Sequence, residues 1–317
     1  MRIAVLTNAY PPKHRGGAGR IAELQVEMLR AEGHDVRVWS PEIAWLQKNF
    51  FLRGIHHVFD FVAKHLAQEI SDWKPEVLLT HNLTGCGFAT PCAIKRRTRC
   101  RWVHVLHDMQ LFEPSGQSVN ANRIIPWQLL LTAMRRPFFQ AVDVIISPTQ
   151  WLIDQHTRRG FVFASPIKTI MLPNPAPRVS SGETGTGSAE RVTHQPMKLL
   201  FAGGDSKAKG GLFLTELEQA MTIPFILERI GNGSVQGVLD SAQVLEKMKE
   251  ADVLLVPSMI EENQPTVILE AASVGLPVIA SNKAGIVETL AGAGKALPLK
   301  VEAWKQEIEA LSKDKEY

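Results

Sequence analysis

The chain has 317 residues, of which 45% are hydrophobic and 21% charged, a length and composition that suit two globular domains with ordinary cores. Its net charge of +3 is too small to indicate nucleic-acid binding. Cys86, Cys92 and Cys100 lack zinc-site spacing, and no apolar run approaches the ~20 residues that span a bilayer, so we expect reduced thiols in a cytoplasmic protein.

In the first half, short apolar runs typical of strands alternate with segments of helical periodicity, which predicts a parallel sheet covered on both faces. The predicted strands are Ile3–Thr7, Asp35–Trp39, Glu76–Thr80, Trp102–Leu106, Val142–Ser147 and Ile167–Met171. The predicted helices cover about 20–32, 45–70, 123–140 and 149–159.

A segment rich in Pro, Gly, Ser and Thr then predicts a flexible linker, because such a composition cannot bury a core. We therefore expect an N-terminal domain over 1–173, a linker over 174–196 and a C-terminal domain over 197–317. Strand and helix signals resume after the linker. The strands are Met197–Ala202, Asp252–Val256 and Pro277–Ala280, and the helices lie near 211–220, 241–250, 265–275 and 304–312. Two such domains should face a cleft at the C-terminal ends of their strands.

Two glycine-rich segments follow predicted strands. The segment from Gly203 to Gly211 contains Lys209 and Gly210; glycines allow close approach of a phosphate, and the lysine adds a positive charge. The other segment, a loop over 10–19, contains Gly17. Neither the order of its glycines nor the end of the second strand fits a dinucleotide fingerprint.

Glu262 and Glu270 flank a predicted helix start, with seven residues between them. Pro265 suits the first turn of a helix, where its missing N–H is not needed. At ~1.5 Å rise per residue, the two carboxylates should lie on the order of 10 Å apart, too far to share a proton. Free amides at the helix start favour a phosphate between them. The expected ligand therefore has a phosphate between two groups that carry hydroxyls, which is the arrangement in a nucleotide sugar.

The segment from Ala251 to Glu288 resembles the donor site of retaining GT-B glycosyltransferases of family 4, whose hallmark is a Glu-x7-Glu motif. The likeness includes Pro-Ser after the strand, Glu-Ala closing the motif, Gly-Leu-Pro-Val-Ile-Ala, and Gly-Ile-Val-Glu. It implies an α/β, GT-B-like fold of two Rossmann-like, doubly wound domains. It also implies transfer of a hexosyl group from a nucleoside-diphosphate sugar to an acceptor, with front-face displacement.

The resemblance also implies roles for individual residues. Glu262 would hold sugar hydroxyls, Glu270 would accept from the ribose, and His107, at a strand's C-terminal end, would contact the transferred sugar. Lys209 and Gly210 would bind the diphosphate, and Gly17 would face it from the N-terminal domain. The backbone that lines the phosphate would be that of Asn263, Gln264, Pro265, Thr266 and Val267.

Two departures from the family pattern leave other functions open. An arginine often precedes the lysine, but Gly204 and Ala208 occupy those places, with Lys207 as the alternative cation. The C-terminal domain should be reduced, because the segment 241–250 leads directly into a strand. A catalytically weakened binding or scaffold protein of this fold, or a nucleotide-sugar epimerase, is therefore an alternative.

Cofactors and partners follow from the same residues. The sequence contains no Asp-x-Asp, which predicts metal-independent transfer with no cofactor beyond the UDP- or GDP-linked donor. The acceptor, whether glycan, lipid or small molecule, has no readable signature. Basic clusters at 95–101 and at Arg135–Arg136 are interpreted as solvated helix ends, or alternatively as a peripheral contact with anionic lipid at the inner face of a membrane.

Overall fold

The computed structural model describes residues 1–12, 17–41, 59–118, 120, 122–161, 168–175, 196–234, 236–292 and 294–313. The chain divides into two compact units, Met1–Pro175 and Ala176–Tyr317. Each unit is built on one parallel β-sheet. Within the described residues, no helix has both the length and the apolar character needed to cross a bilayer.

The first unit has a six-stranded sheet in the order β2-β1-β3-β4-β5-β6. Its strands are β1 (Arg2–Leu6), β2 (Asp35–Trp39), β3 (Val77–Thr80), β4 (Arg101–Val105), β5 (Val144–Ser147) and β6 (Lys168–Met171). Its helices are α1 (Gly17–Ala31), α2 (Lys64–Asp72), α3 (Thr90–Thr98), α4 (Pro126–Phe139) and α5 (Gln150–Arg158).

Both faces of this sheet are buried, because neighbouring residues of a strand enter different cores. On β1, Ala4 and Leu6 pack into one core, which also holds all three cysteines as free, buried thiols. Ile3 and Val5 pack into a second core with Val26 of α1. This burial of both faces explains the near-continuous apolar runs that predicted a covered parallel sheet.

The second unit has a five-stranded sheet in the order β11-β10-β9-β7-β8. Its strands are β7 (Met197–Ala202), β8 (Phe225–Ile230), β9 (Val253–Val256), β10 (Val278–Ser281) and β11 (Gly294–Leu297). Its helices are α6 (Gly211–Ala220), α7 (Ser241–Glu250), α8 (Thr266–Ser273), α9 (Ala284–Leu290) and α10 (Val301–Leu311). Leu254 and Leu255 of β9 enter opposite cores, so this sheet is also covered on both faces.

Some sequence-based expectations need correction. Gly17 is not in a loop: it is the first residue of α1, which begins three residues earlier than predicted. Pro265 immediately precedes α8 and does not lie in its first turn. Of the helix predicted over 45–70, residues 64–70 belong to α2, residues 59–63 are not helical, and residues 42–58 lie outside the described part. Most of the predicted linker, 176–195, also lies outside it.

Candidate functional site

The strand order places two loops of the second unit side by side. The chain passes from β7 to β8 on one side and then to β9 on the other side of β7. The loops that leave β7 and β9 therefore lead in opposite directions, and the crevice between them is where open α/β sheets bind ligands. These two loops contain Lys209 and Glu262.

Lys209 and Glu262 meet at this crevice. The Lys209 Nζ atom lies 2.5 Å from Glu262 Oε2. The buried Ser258 hydroxyl donates a hydrogen bond to Oε1 of the same carboxylate. The Met259 amide donates to the carbonyl oxygen of Ala208 at 2.9 Å, which joins the two loops through their backbones. Both oxygens of Glu262 thus have a donor, and its side chain is only 14% exposed.

Glycines allow these loops to approach so closely. Gly210 has φ +89°, and a Cβ atom there would overlap the Pro257 carbonyl oxygen and lie 2.8 Å from Pro257 Cγ. A Cβ at Gly285 would overlap the carbonyl oxygen of Glu262 and lie 2.5 Å from that of Asn263. Larger residues at either position would displace backbone that carries the site.

Helix α8 begins beside Glu262. Pro265 precedes its first residue, Thr266, and a proline side chain has no oxygen to cap the first amides. The helix start is thus suited to an anion supplied by a ligand. Asn263 is buried, Gln264 is half-buried, and Glu270 lies half-buried in the second turn of α8.

Lys207, the possible substitute for the arginine that often precedes the lysine in the family, is exposed at the surface of the glycine turn. Arg229, on β8, is instead part of the turn's support: its guanidinium lies 3.6 Å from Asp205 Oδ2 and also pairs with Glu218. It donates to the carbonyl of Gly211 at 3.4 Å as well. Its positive charge is therefore directed to acids of this unit.

His107 belongs to a polar cluster in the first unit, at the C-terminal ends of β3 and β4. Its Nε2 atom lies 2.8 Å from His81 Nδ1, and the two rings stack with centroids 5.1 Å apart. Asn82 donates to Asp108 Oδ2 at 2.8 Å, and the Gln110 amide donates to Oδ1 at 2.8 Å. Residues 81–82 also follow β3, which with β1 flanks the switch point of this sheet.

Burial sets the protonation states in this cluster. It lowers the pKa of His107 to about 4, and it also lowers the pKa of His81, which His107 lowers further. Both rings are therefore neutral at pH 7, and one donates the hydrogen bond that the other accepts. Burial raises the pKa of Asp108 to about 6, against the effect of the hydrogen bonds from Gln110 and Asn82. His107 can thus offer a neutral ring to a ligand.

The structure brings Lys209 and Glu262 of the second unit into contact, while His107 and Gly17 belong to the first unit. Sequence reasoning missed the part played by Ser258, whose hydroxyl orients the Glu262 carboxylate. Its signal was a serine directly after the proline that follows a strand, four residues before the glutamate. His81 was given no role from the sequence, yet it contacts His107 directly.

Comparison with known proteins identifies the family. The profile described as "Glycosyltransferase Family 4" matches residues 15–174, just over half of the chain. The profile described as "Glycosyl transferases group 1" matches residues 184–314. A Klebsiella pneumoniae protein, described as an uncharacterized 42.6 kDa protein in the cps region, is 22% identical over an alignment of 334 positions that covers 91% of this chain and 87% of that protein.

Solved structures share the fold. Anabaena Alr3699/HepE, solved with UDP and glucose, has a TM-score of 0.66 and 15% identity, covering 98% of this chain and 90% of its own. The lipopolysaccharide outer core galactosyltransferase WaaB, in its apo form, has a TM-score of 0.61 and 14% identity, covering 99% and 90%. The predicted GT-B-like class, with two parallel-sheet α/β domains, is therefore confirmed. Since its profile spans more than half of the chain, this protein belongs to glycosyltransferase family 4.

Proposed function

We propose that the protein is a retaining glycosyltransferase that moves a hexosyl group from a UDP- or GDP-linked sugar to a glycan, lipid or small-molecule acceptor. The observation that carries this proposal is the 2.5 Å contact between Lys209 Nζ and Glu262 Oε2. It lies at the switch point of the second sheet, next to the start of α8. The HepE structures with UDP and with UDP-glucose favour a uridine donor as the first to test.

The arrangement suits the parts of such a donor. Lys209 and the amides at the start of α8 would bind the diphosphate, and the backbone of Gly210 would contribute as the family resemblance implies. Glu262, oriented by Ser258, would accept hydrogen bonds from sugar hydroxyls. Glu270, in the second turn of α8, would accept from the ribose.

The proposed transfer depends on stabilisation of the negative charge on the leaving phosphate more than on a nucleophile from the protein. The bond from the anomeric carbon to the donor phosphate oxygen breaks, and a bond from that carbon to the acceptor oxygen forms on the same face. The acceptor proton passes to the leaving phosphate. The lysine and the helix amides are preorganised to stabilise the negative charge that develops there. We propose that this occurs without a metal; loss of turnover in EDTA, restored by Mg²⁺, would contradict that part.

The test combines calorimetry and turnover. Wild-type protein is titrated with UDP-, GDP- and ADP-sugars, and donor hydrolysis and transfer are then measured. Glu270→Ala should weaken donor binding at least tenfold, and Glu262→Ala should lower kcat about 10²-fold or more, on the scale of losing one transition-state contact. Glu246→Ala, on the exposed side of α7, is the control that should behave as wild type.

The outcomes separate the alternatives. Wild-type binding and rates in both site variants would refute the assignment of the site. Donor binding without turnover across many acceptors would identify a binding or scaffold protein. Conversion of the donor sugar without any acceptor would identify an epimerase.

A further inference from the structure

Helix α4 buries polar residues beside Leu131 and Phe139, and it exposes several large apolar residues. Gln128, Thr132 and Arg135 are buried against the unit. Trp127 and Leu130, in contrast, face outward and are 38% and 61% exposed. A helix that supports a soluble core normally shows the reverse pattern.

The inward polar side chains have structural partners. Gln128 accepts from Arg159 Nε at 3.0 Å and donates to Glu113 Oε2 at 3.1 Å. Arg135 donates to the carbonyl oxygens of Gln110 and Leu111 at 2.9 and 2.8 Å. These bonds fix the rotation of α4 about its axis. The outward apolar face is thus a consequence of the packing on the other side.

The outward face continues before the helix into an apolar surface with a basic border. We call it the α4 face; its large apolar members are Ile124, Ile125, Trp127, Leu129 and Leu130. Arg123 and Arg136 are exposed beside them. The sequence has no acidic residue between Glu113 and Asp143. Five large exposed apolar side chains within the segment 124–130 point to an interaction site.

The basic clusters found in the sequence contain both buried or paired residues and exposed ones. Arg135, adjacent to Arg136 in the chain, is buried with its guanidinium 3.8 Å from the centre of the Phe88 ring, so it is no surface charge. Lys95 is bound to Asp143 at 2.6 Å. Arg123 and Arg136 are the arginines that border the α4 face.

We infer that the α4 face docks on the surface of an anionic lipid bilayer. A tryptophan and several aliphatic side chains, bordered by arginines, are the composition of helices that lie in the interface of a membrane. The arginines complement anionic headgroups. A second copy fits less well, because a symmetric pair would place Arg123 and Arg136 of one face against the same face of the other, with no acid from the segment to offset them. This inference does not depend on the proposed donor site.

The experiment uses the full chain and vesicles of phosphatidylcholine with and without phosphatidylglycerol. Wild-type protein should float with the anionic vesicles. The double variant Trp127→Ser with Leu130→Ser should lower the partition coefficient at least about tenfold, because both side chains lose their burial in the lipid interface. Met28→Ser, at a residue 50% exposed on α1, is the matched control and should bind as wild type.

A second variant tests the charge. Arg123→Gln with Arg136→Gln should weaken binding to anionic vesicles roughly fivefold per arginine, and should change binding to neutral vesicles little. Far-ultraviolet circular dichroism and the thermal transition establish that each variant is folded. Three results would overturn the inference: no binding of wild type to anionic vesicles, equal binding by the Trp127/Leu130 variant, or equal loss in Met28→Ser. A wild-type dimer that the double variant dissociates, with no vesicle binding, would overturn it in favour of a second copy.

Discussion

Gly210→Ala tests whether the donor site depends on close approach of its two loops. Gly210 precedes α6 with φ +89°, a region that costs other residues about 1 kcal/mol or more. The new Cβ would also overlap the Pro257 carbonyl oxygen, and overpacking of this kind costs about 1–3 kcal/mol. Together these effects should lower the free energy of unfolding of the second unit by about 2–4 kcal/mol.

Gly275→Ala is the matched control. Gly275 follows α8 in the same unit with φ +67°, but a Cβ atom there would have no neighbour within 4 Å. Its substitution should cost only the backbone contribution, about 1 kcal/mol. The difference between the two variants therefore measures the contact with Pro257.

Hydrogen exchange of amides in β7 and β9 reports the free energy of unfolding of this unit by itself. Turnover measurements then show the functional effect. Displacing Pro257 moves Ser258, which orients Glu262, so Gly210→Ala should also lower kcat while Gly275→Ala leaves it unchanged. Equal losses of stability in the two variants would refute the reasoning.

Three further predictions concern the polar residues. Ser258→Ala removes a hydrogen-bond donor to Glu262 and should lower kcat about tenfold with little change in KM. Ser258→Thr keeps a hydroxyl and should restore activity. An effect on KM alone would contradict the orienting role of Ser258. Burial raises the pKa of Asp108 from 3.8 to about 6, so the folded state holds a proton that the unfolded chain releases, and stability should fall by up to about 3 kcal/mol as pH rises through this window. The free energy of unfolding, measured by urea denaturation from about pH 4 to 7, should fall with rising pH in the wild type but not in Asp108→Asn. The same pH dependence in both proteins would be inconsistent with this prediction. The low pKa values of His107 and His81 predict that both rings stay neutral between about pH 5.5 and 8, so their ring nitrogens should keep the NMR shifts of a neutral imidazole. Protonation of either ring with a midpoint near the ordinary histidine pKa would refute the assigned burial.

Apolar periodicity predicted most strands of both sheets, and the bounds of β7 and α7 agree with the sequence-based ones. Helix α3 was missed because Pro91 and a run of basic residues hide its few buried positions, such as Cys92 and Ile94. Strand β11 was missed because its four residues are largely exposed and lack alternation. These elements are defined by packing against neighbours that a local pattern does not contain.

The site was predictable in its parts but not in its contacts. The sequence indicated that Lys209 and Glu262 each follow a strand, but they are 53 residues apart. Their contact depends on β9 lying beside β7, which is a property of the sheet order. Arg135 and Arg136 show the same limit of local sequence on a helix. Adjacent helical residues point about 100° apart, so Arg135 is buried while Arg136 is exposed.

If the proposed donor binds at this site, the contact between Lys209 and Glu262 sets the order in which the parts of that donor are recognised. Before a ligand arrives, the ammonium and the carboxylate satisfy each other, and a free sugar would have to compete with a full positive charge for Glu262. A diphosphate attracts that ammonium and so leaves the carboxylate available to hydroxyls. Free monosaccharides should then be ignored, and discrimination between sugars would begin only after the nucleotide has bound.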